Sequence, residues 1–447
     1  MKAFKAYDIR GVYNKDFNKD DVYKVGFFLP RLLEAKTILI GRDVRESTDE
    51  IFDALCDGIN DAGADVDSIG LSTTPMVYYT TAALKYDGSV MITASHNPKE
   101  YNGLKISRKN ALPVGAESGL KELEQMVLNE PVKKVPEEER GDVRDIEVTH
   151  HYRDFLMKYV PENIEDLNLS IDCSNGMANI IVKELLGNTP HYLYDTLDGT
   201  FPNHEPNPLE EENVRDLKEA VLKNHSDLGI IFDGDADRVM FTDEKARFIQ
   251  PDIITAVIGS YFLEKEKGYV IQDIRTSRSV TEYLEARGAK VFTWKVGHAY
   301  AKAKMAELNA IMGGELAGHY YFRDFYNCDS GFLACLIVLQ VASKLKKENR
   351  SFSSLIDEIV TYATSGETNF KIEKKQEAME ALKSHFMKEQ PTRVLDFDGY
   401  RIEFDQWWFN VRPSNTEPYL RLVVEAKSEG MLKEKLDELK SILSKYE

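Results

Sequence analysis

The sequence predicts an α/β protein, built as three consecutive α/β units and a smaller C-terminal α+β unit. Two observations carry this. From the N-terminus to about residue 365, short apolar runs alternate with stretches of helical periodicity, the rhythm of strand–helix units. Beyond that point the pattern changes to paired β-type runs and a final amphipathic helix. The chain has 447 residues, 43% of them hydrophobic, enough to fill several cores. The units are expected over 1–145, 146–246, 247–365 and 366–447.

In the first unit, Thr37-Ile38-Leu39-Ile40 reads as a strand. Ser47-Thr48-Asp49-Glu50 resembles a capping box that opens a helix through Ile51, Leu55 and Ile59 and stops near Gly63. Pro75 can start a helix over 76–84. Ser89-Val90-Met91-Ile92 reads as a buried strand, expected to run to Ser95 before the turn-like His96-Asn97-Pro98. The stretch 131–144, rich in Pro, Lys and Glu, reads as a surface loop or linker. The second unit opens with a helix through Tyr152, Phe155 and Tyr159, then shows strands at 169–171 and 228–232. Between them lies the proline-rich, structureless 198–208 stretch. The third unit alternates a helix over 253–263, a strand over 269–271, a helix over 280–287, a strand over 290–293 and a buried helix over 332–345. In the fourth, Arg393 to Phe397, Asp398-Gly399 and Tyr400 to Phe404 have the form of a hairpin. Strands at 407–411 and 420–424 and a helix over 430–443 follow. There is no strong sequence repeat, only the shared rhythm.

Composition excludes some functions. Lys plus Arg number 57 and Asp plus Glu 75, for a net charge of −18, which argues against a nucleic-acid partner. An anionic substrate would need a local positive island. The start of the chain shows no apolar signal segment, and the longest apolar run, 332–339, falls far short of the ~20 residues of a membrane span. Cys56, Cys173, Cys328 and Cys335 lack zinc spacing and suggest free thiols in a reducing, cytoplasmic compartment.

Four constellations carry chemistry. Thr93-Ala94-Ser95-His96-Asn97-Pro98 puts a hydroxyl on a tight loop beside an imidazole and an amide, which suits a nucleophile that needs help and equally suits a polar turn. Asp233, Asp235 and Asp237 alternate directly after a strand. Crowded carboxylates repel, and an oxygen-only set suits Mg²⁺. A calcium EF-hand shares the spacing, but Arg238 stands where that loop needs glycine, and the flanks read as strands. Arg412-Pro413-Ser414-Asn415-Thr416-Glu417-Pro418 joins two strands and offers a guanidinium, hydroxyls and an amide, the donors a phosphate dianion takes; a polar hairpin loop has the same composition. Gly313-Gly314-Glu315-Leu316-Ala317-Gly318-His319 presents an acid for sugar hydroxyls and a histidine for acid–base work, and taken alone reads as an ordinary loop. Lys295-Val296-Gly297-His298 is a weaker candidate.

Together with Tyr7-Asp8-Ile9-Arg10-Gly11 and Tyr101-Asn102-Gly103-Leu104-Lys105, these four motifs resemble the α-D-phosphohexomutases of the phosphomannomutase/phosphoglucomutase branch, over essentially the whole chain. The resemblance implies three similar mixed-sheet α/β domains and a smaller C-terminal α+β domain around a central cleft. It implies a phosphoserine at Ser95, with Ser95, Asp233, Asp235 and Asp237 holding one Mg²⁺ per chain. Arg10, Lys105 and His319 would be the acid–base and charge-stabilising groups. Arg412, Ser414, Asn415 and Thr416 would hold the non-reacting phosphate and Glu315 the sugar hydroxyls. Tyr7, Asn97, Arg238, Arg275 and His298 would line the cleft. The implied reaction interconverts hexose 6-phosphate and hexose 1-phosphate through a hexose 1,6-bisphosphate, which is also the activator. Because water in the cleft would hydrolyse a phosphoserine, the fourth domain is expected to close over the substrate.

Asn415 favours the mannose/glucose branch over phosphoglucosamine mutase, where glycine is usual. One departure stands out: Ala317 replaces a serine common in the family. The loss of one neutral hydrogen bond weakens sugar binding by ~0.5–1.5 kcal/mol, so activity is expected to survive. The other readings are phosphoglucosamine mutase and a non-catalytic protein that binds metal and sugar phosphate on the same fold. A monomer or homodimer with no nucleic-acid or membrane partner is expected.

Overall fold

The computed structural model describes residues 2–414 and 419–446, apart from the side chain of His298. Among them are three mixed sheets and one antiparallel sheet.

The first three sheets share a plan. In the first, Thr37–Arg42 is flanked in parallel by Asp65–Leu71 and Gly88–Ile92, and Tyr101–Arg108 returns antiparallel to Gly88–Ile92. In the second, Leu169–Asp172 lies between His191–Leu193 and Leu228–Phe232 in parallel, and Val239–Asp243 returns antiparallel. In the third, Tyr269–Asp273 lies between Lys290–Trp294 and Met312–Gly314, and Tyr320–Phe322 returns. Each unit therefore carries one loop between its third parallel strand and the antiparallel return. These are the 93–100, 233–238 and 315–319 loops, three of the four constellations read from the sequence. The parallel strands are buried on both faces and so read as continuous apolar runs, as Leu228–Phe232 does.

The fourth sheet is wholly antiparallel, ordered 363–370, 420–426, 407–413, 400–403 and 393–395. Its core around Ile402, Phe409, Leu422 and Leu439 is a cluster of its own. The second and third units share one continuous core that also takes in Met76 and Tyr78 of the first. Polar contacts join the fourth unit to the third: Arg401 Nη1 donates to the carbonyls of Ile274 at 2.9 Å and Thr276 at 2.6 Å.

Several elements differ from the sequence reading. The Gly88–Ile92 strand stops three residues before Ser95, which adopts a left-handed φ of 52°. The capping box does not form. Ser47 is itself helical, with no side-chain cap, and its Oγ accepts from Asn102 Nδ2 at 2.9 Å, while Glu50 accepts from the Tyr13 hydroxyl at 3.0 Å. Tertiary partners have outcompeted the local motif. Within the presumed linker, Val143–Asp145 adds an edge strand beside Asp65–Leu71. Pairing needs only exposed backbone groups, which composition does not reveal. Thr73, not proline, caps the Thr74–Ala83 helix, with Pro75 in its first turn. All four cysteines are buried and free, and no described helix is long and apolar enough to cross a membrane.

Candidate active site

Ser95 sits beside the acidic loop although 138 positions separate it from Asp233. Its Oγ donates to Asp233 Oδ2 at 2.8 Å, and Arg238 Nη2 lies 3.4 Å from Ser95 Oγ. The approach depends on Gly234: a Cβ there would fall 2.5 Å from the Ser95 carbonyl oxygen, closer than packing permits. Arg238 also contacts His96 Nδ1 and, through its backbone N–H and Nε, holds both oxygens of Asp233.

Lys105, from the strand that returns from the Ser95 loop, places Nζ 2.6 Å from both Asp235 Oδ2 and Asp237 Oδ2. Burial alone would lower its pKa, but Asp235 and Asp237 outweigh that and hold it above the ordinary lysine value. Thr74, at the start of its helix, donates its hydroxyl to Asp235 Oδ2 at 2.5 Å. His319 Nδ1 lies 2.7 Å from Asp329 Oδ2 and 4.0 Å from Asp237 Oδ1. Burial opposes its charge, yet Asp237 and Asp329 raise its pKa. A backbone bridge between Arg238 and His319 ties the acidic loop to the 315–319 loop.

The acidic triplet fits a divalent cation. The three carboxylates bring oxygens within 4.8 Å of one another, and all three are buried. Asp235 Oδ1 and Asp237 Oδ1 are buried without a hydrogen-bond donor among the described residues, a costly arrangement for anionic oxygens. Burial, with Asp237 and Asp235, drives the Asp233 pKa well up despite Arg238 and Lys105, as expected where negative charge exceeds positive.

The other expected residues fall around this floor. Arg10 donates to Asn97 Oδ1 at 3.0 Å and pairs with Asp8 at 2.5 Å. Glu315, raised in pKa by burial, accepts from the Tyr321 hydroxyl at 2.8 Å. Arg275 pairs with Asp273 at 2.7 Å and reaches Glu367 of the fourth unit at 3.2 Å. The Tyr7 phenol, pushed up to about 12 by burial and then by Tyr300, Glu315 and Asp398, also feels Arg412. One residue of the first unit thus faces charges from the third and the fourth. Arg412 is buried, with Nε 3.2 Å from Asp398 Oδ1, and the Ser414 N–H donates to the Tyr419 carbonyl at 2.9 Å. Asn415, Thr416 and the His298 side chain lie outside the described residues.

Four residues escaped the sequence reading: Thr74, Asp329, Asp398 and Arg45. Asp398, read as a turn residue, also accepts the Val296 N–H at 2.9 Å and so links Arg412 to the third unit. For Arg45 a signal existed. Asp8-Ile9-Arg10, Asp43-Val44-Arg45 and Asp273-Ile274-Arg275 are one pattern, and each aspartate pairs with the arginine two residues on.

Compared with known proteins, the chain matches all four domains of phosphoglucomutase/phosphomannomutase: alpha/beta/alpha domain I over 1–133, II over 149–246, III over 250–362 and the C-terminal domain over 367–441. It is 37% identical to the phosphomannomutase of Escherichia coli K12 across 97% of both chains. It is 36% identical to that of Methanocaldococcus jannaschii across 100% of this chain and 98% of the relative. A crystal structure of a phosphoglucomutase/phosphomannomutase family protein from Burkholderia thailandensis superposes with a TM-score of 0.89 at 26% identity, covering 100% of this chain and 97% of that one. Fold and relatives together define an enzyme of the phosphotransferase-mutase class. Within it, the chain belongs to the phosphoglucomutase/phosphomannomutase family and is a phosphohexomutase.

Proposed function

We propose that the enzyme interconverts hexose 6-phosphate and hexose 1-phosphate, with mannose preferred and glucose a second substrate, by way of a phosphoserine at Ser95 and a hexose 1,6-bisphosphate. The observation that carries the reading is the 2.8 Å contact between Ser95 Oγ and Asp233, made across two units. It puts a hydroxyl against the carboxylates best able to hold a cation.

In the first transfer the bond from phosphorus to Ser95 Oγ breaks and one to the free sugar hydroxyl forms, while the hydroxyl proton leaves to a base. The bisphosphate reorients, and its other phosphoryl group passes to Ser95 Oγ. Such transfers ask for position and charge neutralisation more than for covalent chemistry. Mg²⁺ held by Asp233, Asp235, Asp237 and an oxygen at Ser95 would neutralise charge on the transferring group. Lys105, Arg10 and Arg238 add fixed positive charge beside it. His319, oriented by Asp329 against Nδ1, would move a proton to and from the sugar oxygen. Arg412 and Ser414, with Asn415 and Thr416, would hold the distal phosphate, and Glu315 the hydroxyls. Tyr7, Asn97, Arg275 and His298 would line the cleft. The separate core of the fourth unit supports its closing over substrate as a body. The reading takes the protein to work in the cytoplasm as a monomer or homodimer.

Coupled assays with mannose 1-phosphate, glucose 1-phosphate and glucosamine 1-phosphate, each with a trace of bisphosphate, test it. The highest kcat/KM is expected on mannose 1-phosphate. A clear preference for glucosamine 1-phosphate would make the protein a phosphoglucosamine mutase, and no turnover on any of the three would overturn the proposal.

A further inference from the structure

We infer that Arg45 is the positioning residue of the nucleophile loop: its guanidinium sets the backbone that aims Ser95 at Asp233. The side chain is fully buried. Nη2 donates to the carbonyls of Ser95 at 2.8 Å and Asn97 at 2.6 Å, and Nη1 to those of Pro98 at 2.7 Å and Tyr101 at 3.1 Å. Nε donates to Asp43 Oδ2 at 3.1 Å. Asp43 is itself fixed, its Oδ1 taking the Arg45 N–H and the Thr48 hydroxyl, each at 3.0 Å.

The supporting strand ends at Ile92, so regular sheet bonding does not reach the loop. Four inward-turned carbonyls on one cation do its work and hold Ser95 in the left-handed region, which side-chain-bearing residues seldom adopt. The ring of Phe201, from the second unit's 198–208 stretch, covers the guanidinium at 5.0 Å. The unit that brings Asp233 thus also seals the clamp. In the third unit, Arg275 stands at the corresponding strand end but reaches across to Glu367. Lysine cannot reproduce the Arg45 arrangement, because its donors radiate from one point whereas the planar fork spans separated acceptors.

The inference rests on Ser95 being the nucleophile, and the test separates the two ideas. Arg45→Lys keeps the charge and loses the fork. Its kcat should fall on the order of 100-fold, as for small misplacements of reacting groups. KM for hexose 1-phosphate should stay within about twofold, since distal binding is untouched. Hydrogen exchange should speed up in peptides covering 93–101 and nowhere else. Wild-type kcat, unchanged exchange in 93–101, or a global loss of protection with kcat and KM both affected would each overturn the clamp. Should Arg45→Lys not fold, Asp43→Asn is read the same way: kcat down about tenfold at constant KM supports the inference, and unchanged kcat refutes it. Ser95→Ala is run in parallel. If it retains turnover the nucleophile reading fails, whereas the exchange measurement still tests the clamp.

Discussion

Replacing Lys105 by methionine tests whether the acidic loop is short of positive charge. Nζ touches Asp235 and Asp237 at 2.6 Å each, and the lysine and both carboxylate side chains are less than a tenth exposed. The shape of the side chain is nearly kept and only the charge goes. Removing one partner of a buried pair typically costs about 3–5 kcal/mol, because the remaining charge is stranded. Spread over a chain of 447 residues, that is a drop on the order of 5 °C in Tm. A divalent cation on the triplet would neutralise the same oxygens, so it should compensate. A cation that binds the folded state alone and is present at 100 times its Kd adds about 2.7 kcal/mol, and more in the variant if its affinity rises there. The assay is thermal denaturation of both proteins in EDTA and across a Mg²⁺ titration. The variant should melt well below wild type in EDTA and recover most of the gap in Mg²⁺, while wild type gains less. Equal Mg²⁺-induced shifts in the two proteins would refute the idea that lysine and cation serve the same carboxylates.

Three further outcomes are expected. Ser95→Ala nearly abolishes turnover in the coupled assay without lowering Tm, and wild-type rates would remove Ser95 from the mechanism. Arg412→Ala raises KM for the hexose phosphate by about 10–100-fold, the worth of hydrogen bonds to a charged group, and an unchanged KM counts against its anchoring role. Asp252, buried at the start of the Pro251–Lys265 helix, has its pKa pushed up to about 7 by burial and then by Glu425 and Asp273, against the backbone N–H groups of Ser277 and Ile253. The folded protein therefore keeps a proton that the unfolded chain gives up near 3.8. Its contribution to stability is full at acid pH and is lost as pH rises toward 7, by at most about 4 kcal/mol. Asp252→Asn should flatten that limb of the Tm–pH curve, and an undiminished slope would clear Asp252.

Much of the site was legible because its residues cluster in short runs directly after strands. The 93–98, 233–238 and 315–319 stretches each lie on the loop leaving the third parallel strand of a unit. In such sheets that is where function gathers, since strand ends are rigid and loops are free to vary. Asp329, Thr74 and Asp398 were not legible. Each is an ordinary strand, helix-start or turn residue locally, and gains its role from a partner on another loop, element or unit, such as Asp235 for Thr74. Arg45 was half legible. Its Asp-aliphatic-Arg pattern recurs, but Asp142-Val143-Arg144 shares it at an exposed edge, where Arg144 pairs with Asp67 away from the site. The pattern alone does not separate the two.

By itself the sequence determined the four-unit order, most of the strands and helices and the composition of the functional loops, because apolar periodicity and turn chemistry are local properties of the chain. The tertiary structure alone decided that Ser95 leaves the strand early and turns left-handed, that Asn102 takes Ser47 from its helix cap, and that one guanidinium gathers four carbonyls. Those outcomes depend on which distant donor or acceptor arrives within hydrogen-bonding range, and that distance is set by how the sheets pack against one another.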